Sequence, residues 1–162
     1  MKILIQHESQ LVSQLQDALA FETTLVELIS EHVSACQSST RRLYREHARV
    51  TRRQVDRLRE RLSELTAPLA AESRGEFSRR LDRLSAEVEN MEVWRDEATQ
   101  LLITSYGIKQ LECTMYRGLL TLAEKEGDVR TAALARTCLS EEEATARRLL
   151  FCIGEATRSA VA

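Results

Sequence analysis

Four residues of this chain carry side chains able to hold a cation from inside a folded core: Glu22, His47, Glu112 and Glu142. Carboxylates and imidazole are donor types that divalent metals accept, and close carboxylates also serve as proton donors and acceptors. Position singles these four out. Each interrupts an otherwise apolar line drawn at steps of three and four residues, the spacing that keeps side chains on one helix face. In "YGIKQLECTMYRGLL" the line Ile108, Glu112, Met115, Leu119 and Leu122 is apolar except for its carboxylate. Burying an unpaired carboxylate is expensive. Four such positions at similar depth therefore call for a shared cation or a shared hydrogen-bond network.

The elements that must position them are helices. The 162 residues are 43% hydrophobic and 30% charged, with 5 glycines and 1 proline, so little of the chain is suited to turns and long loops. Aromatic residues are only 4%, which argues against a β-sandwich and against a base-stacking surface. The first helix is expected over about 8–34, with the seam Leu11, Leu15, Ala18, Glu22, Leu25/Val26, Ile29 and Val33. "SSTRR" supplies an N-cap for a second helix reaching about Leu65, with the seam Leu43, His47, Val50, Gln54/Val55, Leu58, Leu62 and Leu65. "TAPLAAESRG" holds the only proline and the first glycine, and marks the connection between two halves. An extra helical stretch follows from about Glu76, carrying Phe77, Leu81, Leu84, Val88, Met91 and Trp94.

The main helix of the second half is expected from about Trp94 to Lys125, with Gly107 as a possible kink site. "KEGD" reads as a glycine stop followed by an aspartate N-cap. The last helix then spans about Val129–Ala156, with Ala132, Ala135, Leu139, Glu142, Ala146, Leu149 and Ile153 inward. Two long hairpins joined by one long connection make a single-domain, all-α antiparallel four-helix bundle over residues 1–162. Each long helix then contributes one of the four polar residues to the interior. Bundles that hold a di-iron or di-manganese centre between carboxylates and histidines use this arrangement.

A second account of the same residues is a metal-free polar network, with Arg45, Arg148 or Tyr116 as candidate partners. His7 and His32 are expected at the surface. The cysteines Cys36, Cys113, Cys138 and Cys152 form no CxxC pair and fall in helical stretches, where free cysteine packs as a small apolar residue. The second helix contains nine arginines in "RRLYREHARVTRRQVDRLRER". With a net charge of −2, they are read as a solvated face paired to acidic stretches such as "SEEEAT", and nucleic acid is not the expected partner. No nucleophile elbow, phosphate loop or HExxH motif is present, so no enzymatic activity is assigned. "MKILIQHES" has no cleavage-like site, and nowhere do about 18 apolar residues run together, so the expected setting is the cytoplasm with no membrane contact.

"LECTMYRGLLTLAEKEGDVRTAALARTCLSEEEATARRL" resembles the C-terminal half of the YciE/YciF family of ferritin-like bacterial proteins. "LQDALAFETTLVEL" and "YREHARVTRRQVDRL" resemble its first two helices, with Glu22 and His47 on the family's metal-site positions. The resemblance covers most of the chain and is weakest across 66–95. It implies a ferritin-like bundle, a link to bacterial stress responses, a homodimer, and a di-iron or di-manganese centre using Glu22, His47, Glu112 and Glu142. The chain departs from the family pattern at Val50, Ala146, Lys109 and Gln110, where further metal ligands usually stand. The alternative is a bundle that has lost the metal and acts as a scaffold or partner-binding protein.

Overall fold

The computed structural model describes residues 2–35, 38–65, 79–80, 83–84, 86–87, 90 and 97–161. Side chains are described at these positions except 2–9, 35, 38–39 and 159–161. Four long helices carry the fold: α1 (Lys2–Ala35), α2 (Ser38–Glu64), α3 (Glu97–Glu126) and α4 (Val129–Val161). Helix α1 packs chiefly along α2, and α3 along α4, while α1–α3 and α2–α4 contacts close the bundle. The described part of the connection, at 79–80, 83–84 and 86–87, is helical as expected. Phe77, Leu81, Val88, Met91 and Trp94, assigned to that stretch from the sequence, lie outside the described residues, as do Pro68 and Cys36.

Two apolar clusters fill the bundle at different heights. One gathers Leu11, Leu15, Leu58, Leu62, Leu119 and Leu122 with small residues such as Ala132 and Ala135. The other gathers Phe21, Leu25, Ile29, Tyr44, Leu102, Ile108 and Leu149. Burying each large apolar side chain stabilises by about 1.5–3 kcal/mol, so these clusters fix the rotation of every helix. That rotation turns the intervening positions inward too, whatever their polarity. Glu22, His47, Thr51, Gln54, Lys109, Glu112 and Glu142 are all buried, between residues that belong to one cluster or the other.

The seams differ from expectation in small, consistent ways. Tyr44 rather than Leu43 is fully buried on α2, because its hydroxyl reaches Ser105 Oγ at 2.9 Å on α3. Tyr116 lies deeper than Met115, and Cys138 deeper than Leu139. His32 is half-buried rather than on the surface, edge-on to Tyr44 with ring centroids 5.7 Å apart. His7 has no described side chain. Helix α3 continues through Gly107, where a Cβ would meet Leu84 Cδ2 at an ordinary 3.9 Å.

The turn between α3 and α4 follows the sequence closely. Gly127 takes φ 70°, the left-handed conformation that favours glycine. Its N–H donates to Glu124 O, and the Asp128 N–H donates to Ala123 O at 2.9 Å, the two bonds of a Schellman stop. Asp128 then caps α4. Its Oδ1 accepts from the Thr131 N–H at 3.0 Å, while Oδ2 accepts from Arg61 at 2.6 Å. Partial burial opposes ionisation of Asp128, but the Thr131 amide and Arg61 outweigh it and hold its carboxyl below the usual range.

With the folded value below the unfolded one, Asp128 contributes stability above the ordinary carboxylate range, and loses it as pH falls through that range and below. Asp128→Ala should therefore destabilise by about 1–2 kcal/mol near neutral pH. Urea unfolding at neutral and acid pH checks this, with the difference from wild type shrinking on the acid side.

Candidate metal centre

The helices deliver the four sequence-predicted residues to one level, and add one that the seams did not include. His47 from α2, Glu112 from α3 and Glu142 from α4 each place a potential ligand atom within 4.8 Å of the others. Glu22 from α1 lies outside that triangle, with its Oε1 accepting a hydrogen bond from Tyr116 Oη at 2.7 Å. The additional group is Lys109. It is fully buried, one turn before Glu112 on the same face of α3. Its Nζ donates to Glu112 Oε1 at 2.8 Å and also bonds Glu142 Oε2.

Glu142 is held from its other side by Gln54, whose Nε2 donates to Oε1 at 2.6 Å. The same amide reaches Glu141 Oε2 at 3.2 Å, and Arg57 binds Glu141 through two nitrogens at 2.7 and 3.1 Å. The polar core is thus connected to a half-exposed ion pair at the α2–α4 boundary. This is the pairing expected between the arginines of α2 and "SEEEAT". Of the partners proposed for a buried network, Tyr116 is present in it. Arg45 is exposed instead, and Arg148 pairs at the surface with Glu46 at 2.8 Å.

Burial governs the protonation of this layer. It raises the Glu22 carboxyl to about 8, helped by the nearby charge of Glu142. Burial and Glu142 also push Glu112 well above the carboxylate range. For Lys109, burial works against the charged form, but Glu112, Glu142 and Glu22 overcome it and raise its value. Burial, reinforced by the Lys109 charge, moves His47 well below its usual value and keeps the imidazole neutral. A neutral imidazole is the form that ligates metals. Tyr116 is held protonated by burial beside Glu22.

Several polar atoms are left over. Both ring nitrogens of His47, Thr51 Oγ1, Glu22 Oε2 and Gln54 Oε1 are buried without a hydrogen-bond partner among the described residues. Such orphans are uncommon in cores and point to an occupant such as water or an ion. Tyr116→Phe would add one more by removing the donor to Glu22. We expect it to lower stability by about 1–3 kcal/mol, measured by thermal unfolding at neutral pH.

A dinuclear centre does not fit this set. Among the described residues the layer offers three glutamates and one histidine, and the Lys109 ammonium already binds two of the three carboxylates. Single-ion occupancy agrees better with the donors. His47, Glu112 and Glu142 would supply one nitrogen and two carboxylate oxygens, a mixture suited to manganese, iron or zinc.

Lys109 and Gln54 are the components that the metal-ligand pattern does not announce. The i, i+3 spacing of Lys109 and Glu112 signals the shared face. Only the packing of α4 against α3 shows that Lys109 reaches Glu142 as well.

Comparison with known proteins agrees with this architecture. No curated protein matches the chain in sequence. Among solved structures, the E. coli stress protein YciF is 21% identical, with a TM-score of 0.80 over 94% of this chain and 97% of that one. A protein from Xanthomonas campestris pv. campestris is also 21% identical, with a TM-score of 0.77 over 95% of this chain and 94% of that one. At that identity the likeness speaks for the fold, a ferritin-like four-helix bundle. The family match is direct, since the family described as "Domain of unknown function (DUF892)" matches residues 6–162. With its helices in the YciF arrangement and the match running through all four of them, the chain belongs to the DUF892 family of YciE/YciF-type bundles.

Proposed function

We propose that this protein is a stress-associated helical bundle that holds one divalent metal ion at His47, Glu112 and Glu142. The observation that carries the reading is the convergence of these three buried side chains from three helices, with both His47 nitrogens unpartnered among the described residues. A neutral histidine with no hydrogen bond is poorly accommodated in a core unless something else occupies its lone pair. The stress association is supported by the resemblance of the sequence to the YciE/YciF family and by the structural likeness to the E. coli stress protein YciF. A homodimer, a cytoplasmic location and a single domain over 1–162 are further parts of the proposal. No described helix is long and apolar enough to cross a membrane.

A second reading has its own support. Because Lys109 already bonds Glu112 and Glu142, the layer could be complete without metal, leaving a bundle that acts as a scaffold or through a partner. Titration of metal-free protein with Mn(II) or Zn(II), followed by melting temperature and calorimetry, separates the two. The single-ion reading expects saturable binding that His47→Ala removes. Binding that survives His47→Ala unchanged, or no binding by wild type, favours the scaffold.

A further inference from the structure

The position of Lys109 carries an inference beyond the presence of a metal. Its ammonium is fully buried, tethered to α3, and bonded to carboxylates from two different helices. Bridging two glutamates on facing helices is what a cation does in a carboxylate bundle. Lys109 does it permanently, because the cation is part of the chain. The charge count agrees. Glu22, Glu112 and Glu142 carry at most three negative charges, and Lys109 offsets one. A single divalent ion would offset the other two, whereas a second would leave the buried layer with excess positive charge in a low dielectric.

We propose that the Lys109 ammonium is the built-in second cation of this site, and that it limits the centre to one divalent ion held on the His47 side of Glu112 and Glu142. The proposal rests on the single-ion reading above and explains its stoichiometry. Two features of the structure support it. Lys109 Nζ lies against both Glu112 oxygens, at 2.8 and 2.7 Å, so the ammonium takes up the side of that carboxylate facing it. Buried atoms without a hydrogen-bond partner among the described residues include Glu112 Oε2 itself and, on the other helices, both His47 nitrogens, Thr51 Oγ1, Gln54 Oε1 and Glu22 Oε2. Donors therefore remain for an ion on the His47 side.

The test is to count ions. Wild type and Lys109→Glu are loaded with excess Mn(II), desalted and examined by native mass spectrometry, with circular dichroism followed during loading. One Mn(II) in wild type and two in Lys109→Glu is the expected result. If Lys109→Glu folds only as metal is added, two equivalents should complete the folding. Lys109→Gln keeps a similar shape without the charge, so it should still bind one ion, roughly tenfold more tightly because the neighbouring ammonium no longer repels it.

A Lys109→Glu protein that never exceeds one ion, or a Lys109→Gln affinity equal to wild type, overturns the proposal. Wild type with no ion but Lys109→Glu with two would end the single-ion reading, while keeping Lys109 as the group that displaces metal. No ion in any of the three proteins overturns both.

Discussion

Lys109→Met should lower the stability of the metal-free protein by about 3–5 kcal/mol, the usual consequence of removing one partner from a buried ion pair. Methionine fills similar volume, so the loss comes from electrostatics rather than from a cavity. Glu112 and Glu142 would lose the donor they share, while Gln54 would still donate to Glu142 and Tyr116 to Glu22 within a layer of three buried carboxyl groups. Such a deficit is one that a divalent ion corrects. With Mn(II) at about a hundredfold above its dissociation constant, linkage returns about 2.7 kcal/mol. Urea unfolding with and without Mn(II) measures both parts. A variant as stable as wild type without metal would mean that Lys109 does not occupy the interior.

Glu142→Gln should have the second large effect, and on two readouts together. Glu142 accepts from Gln54 and from Lys109 and belongs to the ligand triangle, so its charge serves network and metal alike. The amide keeps the shape, yet places an NH2 group toward one of two existing donors. We expect a stability loss of about 3–5 kcal/mol from the broken pair with Lys109. Metal affinity should fall by more than the about 10–100-fold that follows loss of a supporting residue. Glu22→Gln is the matched control. Glu22 lies outside the triangle and bonds Tyr116, so its variant should keep most of the metal affinity. Calorimetric titration of both variants with Mn(II) distinguishes them.

How far the site was legible in the sequence follows from what each signal depends on. The helices, the Gly127 stop and the Asp128 cap depend on local periodicity and backbone chemistry, and the structure reproduces them. Glu22, His47, Glu112 and Glu142 were visible because a polar residue in an apolar seam is a local anomaly, and all four are buried. Lys109 was visible only as a departure from a family pattern. A lysine three positions before a glutamate is commonplace on exposed helices, where it forms a weak surface pair. What makes this one different is Glu142, 33 positions away on α4. That contact depends on helix rotation, which the separate seams leave uncertain by one residue, as Leu43 and Tyr44 illustrate. The same uncertainty separates Tyr116, which reaches Glu22, from Arg45 and Arg148, which remain outside.

Metal content decides between the two states of the buried layer, measured on wild-type protein purified without chelator, loaded with Mn(II) or Zn(II), and freed of excess. One equivalent per chain, lost in Glu142→Gln and retained in Glu22→Gln, is the result predicted by a site that pairs one metal ion with the Lys109 ammonium. Two equivalents would contradict it by showing that Lys109 does not stand in for a cation. Less than about a tenth of an equivalent after loading would contradict it from the other side, leaving the buried layer as a metal-free network.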